Sequence, residues 1–152
     1  MEDVLEVYTR PYDPRFPQVC MDESAKQLLR DKRESLPMHL GQPERVDYTC
    51  EAAGRCKLFL AGEPLVGKRF VKVTQHRTSQ DWAHFIRELV DVHYPHAENL
   101  VLVVDNLNTH TPASLSQTFA PAEARRILQK LELHSTPVHG RWLNMAESEL
   151  AA

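Results

Sequence analysis

Three acidic residues stand where a chain could present oxygen ligands to a metal ion. Asp22 closes Gln18-Val-Cys-Met-Asp22, Asp105 closes Leu100-Val-Leu-Val-Val-Asp105, and Glu147 closes His139-Gly-Arg-Trp-Leu-Asn144-Met-Ala-Glu147. An apolar run such as 100–104, almost free of turn formers, reads as a strand buried on both faces, with Asp105 at its point of emergence. A carboxylate there is poorly placed for packing and well placed for chemistry. Mg²⁺ or Mn²⁺ prefers such hard oxygen donors and keeps several of its waters, so two or three acids suffice. Two ions roughly 3.5–4 Å apart activate one oxygen and stabilise another, which is the chemistry of metal-dependent phosphoryl transfer. By residue type alone the three are weak evidence, because most of the 21 Asp and Glu residues must be solvated surface. Placement separates them. At about 100° per residue, Leu143, Ala146 and Leu150 form one apolar stripe, with Glu147 at its border and Glu149 turned toward solvent. Glu23, one step beyond Asp22, should project to the other side of its strand and is the nearest rival.

The elements that must position these acids follow from periodicity. Residues 1–17 read as a linker or lead-in, since three prolines in 11–17 exclude a helix there, and the packed domain is expected over 18–152. The first strand is expected at 18–22 and a loop over 23–40. Segments 45–51, 56–61 and 69–74 read as an antiparallel meander, with turns at Ala52-Ala-Gly54-Arg55 and at 62–67. Thr78 to Asp81 offers an N-cap for a helix whose apolar positions Trp82, Phe85, Ile86, Leu89, Val90 and Val92 mostly follow helical spacing. A strand at 100–105, a helix opened by Pro121, a strand at 131–136 and a helix around 143–150 complete the chain. That order is the order of a ribonuclease H-like α/β domain: a mixed sheet of about five strands flanked by helices.

Composition narrows the function. The 152 residues suit one domain, and 42% hydrophobic residues supply a core. A net charge of −3 is unlike a free-standing nucleic-acid binder, whose affinity comes from neutralising phosphates. Three cysteines without a Cys-x-x-Cys pair or a secretory leader favour a reducing, cytoplasmic setting, and no run is long enough to span a membrane.

The motifs themselves add a resemblance. Val103-Val-Asp105-Asn106-Leu-Asn-Thr-His110 resembles the second-Asp motif of mariner-like DDE transposases, in particular the bacterial insertion-sequence-630 branch. His139-Gly-x-Trp142-Leu-Asn144-Met-Ala-Glu147 resembles that branch's third-acid motif, and Val19-Cys-Met-Asp22-Glu-Ser its first-Asp strand. Asp91-Val-His-Tyr-Pro95 and Pro121-Ala-Glu-Ala-Arg125 match in the same order. The resemblance implies a DDE superfamily endonuclease domain in which Asp22, Asp105 and Glu147 are the catalytic acids and hold two Mg²⁺ or Mn²⁺ ions. It implies cleavage at transposon ends, followed by attack of the freed 3′-hydroxyl on target DNA at a TA dinucleotide. Asn106 and His110 would lie beside the second ligand and Asn144 beside the third, supporting a ligand or contacting DNA; loop capping by ordinary polar residues is the alternative. Arg141 stands where relatives typically carry a small residue, so it either contacts phosphate or is merely tolerated.

The resemblance also sets expectations about partners. Full-length relatives carry helix-turn-helix modules before this domain and continue the last helix beyond the third acid. DNA recognition is therefore expected to need a separate or missing module, and the last helix is expected to be truncated; homo-oligomer formation stays open. Two functions remain: an active recombinase domain dependent on another segment, or a catalytically silent remnant acting as an interaction module. Other features take structural readings. His93 and His96 are read as caps at a helix end, Cys50 and Cys56 as reduced thiols, and Trp82 and Phe85 as core. Trp142 could be core or could stack on a base.

Overall fold

The computed structural model describes residues 1–33, 36–46, 48–107 and 110–151. Asp47, in the strand expected at 45–51, and Asn108 and Thr109, in the second-Asp motif, lie outside the described residues.

Five strands form one mixed sheet. They are β1 (Gln18–Asp31), β2 (Cys50–Glu63), β3 (Lys68–Thr74), β4 (Leu100–Val104) and β5 (Leu131–Ser135), in the spatial order β3-β2-β1-β4-β5. β1 to β3 pair antiparallel as a meander, whereas β4 pairs parallel with both β1 and β5. All five β4 residues are buried, as a strand covered on both faces requires.

Helices cover both faces. On one lie α2 (Ser79–Glu88), α3 (Pro112–Thr118) and α4 (Pro121–Gln129), packed on Val19, Met21, Phe59, Leu100, Leu102 and Val104. α2 starts as the sequence suggests: Thr78 and Asp81 form a reciprocal capping box. A single π turn over Leu89–His93 follows it. The opposite face carries α1 (Glu2–Thr9) and α5 (Met145–Ala151), which bury Val4, Val7 and Ala146, together with Leu143, against Cys20, Leu60, Val101 and Val103. Among the described residues no helix is long and apolar enough to cross a membrane.

Three differences from the sequence reading have clear physical causes. β1 runs on through residues 23–31, where a loop was expected. Its outer half is exposed, so the apolar alternation that marks a half-buried strand is absent. The expected strands at 45–51 and 56–61 are not separate: Cys50 and Glu51 open β2, which continues through Ala52 to Arg55. What reads as a turn there is a bulge, because Leu28 pairs with Gly54 and Leu29 with Ala52, leaving Ala53 over, and Gly54 takes φ +123°. Residues 1–17 carry α1, which ends where the prolines begin. α1 is anchored by Val4 and Val7, by Asp3 on His134 Nδ1 at 2.8 Å, and through Arg10, at its end, to Glu132 at 2.7 Å.

Candidate active site

Strand register brings the first two acids together. Met21 of β1 is the parallel partner of Val104 in β4, so Asp105, one residue past the end of β4, stands beside Asp22, which lies within β1 and pairs with Leu60 of β2 instead of ending its strand. Alternation then sets their face. Cys20 and Val103, two residues before each acid, point to the α1/α5 layer, and so do the acids. Asp22 is only 2% exposed and Asp105 only 1%.

Each carboxylate is held by named donors. Asp22 Oδ1 accepts the backbone N–H of Glu23 at 2.7 Å. Asp105 Oδ1 accepts Asn144 Nδ2 at 3.0 Å, and its Oδ2 accepts Arg141 Nε at 2.7 Å. The Asn144 amide is fully buried, and it also donates to the Met21 carbonyl at 2.8 Å while its Oδ1 accepts Ala146 N–H at 3.2 Å. One side chain thus ties β1, Asp105 and the start of α5 together. Glu147 stands in the first turn of α5, half-buried, its N–H donating to the Asn144 carbonyl at 3.0 Å.

The electrostatics couple all three acids. Desolvation pushes the Asp22 carboxyl up to about 6 from 3.8, against the opposing Glu23 hydrogen bond. The charges of Asp105 and Glu147 add to the rise, and Arg141 offsets part of it. Arg141, whose Nη2 lies 3.8 Å from Asp22 Oδ1, is itself held more firmly protonated, first by Asp105 and further by Asp22 and Glu147.

The donor types fit a hard divalent cation: Asp22 and Asp105 are buried carboxylates, and the charge of the half-buried Glu147 is felt at Asp22. In the conformation described, no three His, Cys, Asp or Glu side chains among the described residues are gathered closely enough to enclose a metal. The compensating charge on Asp22 and Asp105 comes from Arg141.

The other named residues divide by face. Glu23 is buried on the side opposite Asp22, with Arg77 Nη1 at 3.2 Å and His110 Nε2 at 3.5 Å. His110 reaches back to the Asp105 carbonyl through Nδ1 at 3.2 Å and stacks on Trp82. Asn106 is exposed, and so is Trp142. Glu149 is on the surface and pairs with Arg69 on β3. Trp82 and Phe85 are core, the three cysteines are free thiols, and His93 stacks on Phe70.

One contributor has no signal in the sequence, and a second is named there without its partners. Tyr8 of α1 donates its hydroxyl to the Leu143 carbonyl at 2.7 Å, bracing the turn before α5. Nothing in a proline-flanked N-terminal segment announces that contact. Arg141, expected either to contact phosphate or to be merely tolerated, pairs instead with Asp105 and Asp22. The signal was its spacing, since the 3₁₀ turn Arg141–Leu143 puts Arg141 and Asn144 three residues apart on one side, both within reach of Asp105.

Comparison with known proteins supplies the family. A family model described as DDE superfamily endonuclease matches residues 17–151. Among solved structures, the chain is similar to the crystal structure of the Mos1 mariner paired-end complex with Mn, at 16% identity and a TM-score of 0.52. That match covers 99% of this chain and 45% of the Mos1 chain, so this chain spans less than half of that protein's length. No curated protein matches the chain in sequence. With nearly all of its length matched by the family model, and with the ribonuclease H-like fold it shares with a mariner transposase, the chain belongs to the DDE superfamily endonucleases.

Proposed function

We propose that this chain is the catalytic domain of a transposase of the insertion-sequence-630 branch, cutting DNA at transposon ends and joining the freed 3′-hydroxyl to a target, at TA. Asp22, Asp105 and Glu147 are its metal ligands, and the domain of residues 18–152 is completed by α1, which packs on its sheet. The observation that carries this reading is that Asp22 on β1 lies beside Asp105, just past the end of the parallel neighbour β4, with the charge of Glu147 on α5 felt at Asp22. Two divalent cations bound there would supply the activation of the attacking oxygen and the stabilisation of the leaving one. Asn144 fixes the Asp105 carboxylate and the start of α5 in one network, so the second and third acids keep a set relation. His110 backs the Asp105 carbonyl from the other face. Asn106, exposed just beyond Asp105, is free to meet DNA.

A net charge of −3 supports the further reading that a helix-turn-helix module elsewhere brings the DNA ends to this domain. One observation favours the silent-remnant alternative: the acids are bridged by Arg141 instead of enclosing a cation site.

Both readings meet in one experiment, incubation of the chain with transposon-end duplexes and Mn²⁺, read as nicked and joined products. The active reading expects slow products that fall by about 100-fold or more in each of Asp22→Ala, Asp105→Ala and Glu147→Ala, since each removes a ligand from one cluster. Product surviving any of the three contradicts the assignment. Absence of product from folded chain, even when fused to a DNA-binding module, selects the remnant.

A further inference from the structure

Arg141 holds both acids that a divalent cation would need. Its Nε is 2.7 Å from Asp105 Oδ2 and its Nη2 is 3.8 Å from Asp22 Oδ1. The two carboxylate side chains are 1% and 3% exposed, yet the arginine side chain is 53% exposed. One partner of this ion network is therefore fixed in the protein, while the other has open solvent to move into.

The backbone under Arg141 is firmly set. Gly140 N–H donates to the Pro137 carbonyl at 2.8 Å, Leu143 N–H to Gly140 at 3.0 Å, and Asn144 N–H to Arg141 at 2.8 Å. A Cβ on Gly140 would meet the Pro137 ring at 2.9 Å, so that turn is pressed against the proline. The Arg141 side chain, 53% exposed, has solvent to swing into, and none of the Asn144 hydrogen bonds runs through its guanidinium.

Charge makes the two cations exclusive. A guanidinium within hydrogen-bond distance of Asp105 occupies the oxygen a metal would take, and a dication placed beside it would repel it strongly in a site shielded from water. We propose that Arg141 is a resident counter-cation that competes with divalent metal for Asp22 and Asp105, so that metal enters only as the guanidinium swings out to solvent. This rests on the reading of the acids as metal ligands. It goes beyond that reading by making metal affinity a property set by a residue that is not a ligand.

The test is calorimetric titration of the whole chain with MnCl₂ at pH 7.5, in wild type, Arg141→Ser and Arg141→Gln, the glutamine retaining bulk in case serine unsettles the turn. Arg30→Ala, at the outer end of β1 and paired with Glu51, makes the same change in net charge far from the acids. The proposal expects Mn²⁺ to bind at least tenfold more tightly to both Arg141 variants, and within about twofold of wild type to Arg30→Ala. Unchanged or weaker binding in both Arg141 variants overturns it, and equal tightening in Arg30→Ala overturns it as a mere effect of net charge. Asp105→Asn separates the layers. If wild type and the Arg141 variants bind alike and Asp105→Asn abolishes binding, the competition fails and the metal reading stands. If no variant binds Mn²⁺, both fail.

Discussion

Asn144 joins three chain segments through one buried amide: the Met21 carbonyl, the Asp105 carboxylate and the N–H of Ala146. Asn144→Ala leaves a buried carbonyl, a buried carboxylate and a helix-start N–H without that partner. The expected cost is about 2–3 kcal/mol, read from urea denaturation midpoints. Asp22 is the opposite case, a residue that weakens the fold it sits in. Its folded-state carboxyl titrates near 6, above its ordinary 3.8, because burial and the Asp105 charge oppose ionisation. The stabilising contribution of its protonated form is therefore complete below about 3.8, is lost as pH rises to about 6, and is absent at neutral pH. Asp22→Asn is expected to raise the metal-free Tm at pH 7.5, and that advantage over wild type should shrink as pH falls from 6 toward 4. An advantage independent of pH would detach the effect from ionisation. The acids themselves were legible in sequence, because each ends an apolar run or borders an apolar stripe. The hands that hold them were not: Tyr8 and Leu143 meet only through tertiary structure.

At the scale of elements, the sequence carried what burial enforces. β4, the capping box of α2 and the start of α4 at Pro121 all follow from apolar runs and cap residues. The exposed outer halves of β1 and β2 did not follow, since a strand solvated on both sides has no periodicity to display, and a glycine bulge imitates a turn. Gly54 gives this a direct test. A Cβ there would touch nothing within 4 Å, so Gly54→Ala carries only the cost of a side chain at φ +123°, about 1–2 kcal/mol. Because the arm is exposed, the effect should be faster amide exchange in residues 24–31 and 50–57 with little change in global Tm. α5 raises a similar question of local support. Its seven residues gain little from helix propensity alone. Arg69 grips Glu149 through two hydrogen bonds of 2.6 and 2.8 Å, and Lys26 reaches the Leu150 carbonyl at 3.1 Å. Arg69→Ala is expected to leave global stability nearly unchanged, as loss of an exposed pair does, while hydrogen exchange in 145–151 quickens. Unchanged exchange there would show that the helix is held by Ala146 and Leu150 alone.

At the scale of the whole molecule, net charge sets the expectation for DNA. With 18 basic against 21 acidic residues, the chain is expected to bind duplex weakly and without sequence preference, affinity falling roughly tenfold or more between 50 and 200 mM salt. Fluorescence anisotropy on two unrelated duplexes checks this, and tight, salt-insensitive binding would contradict it. On the proposed reading, Asp22, Asp105 and Glu147 act as one metal site although they belong to three different elements. The most direct measurement is the Mn²⁺-induced shift in Tm for wild type and for Asp22→Asn, Asp105→Asn and Glu147→Gln, each compared with its own metal-free melt. Ions that bind the native state alone raise Tm with concentration, so wild type should shift upward and each single variant should lose most of that shift. A shift of the same size in wild type and in any one of the three would mean that the ion is held elsewhere.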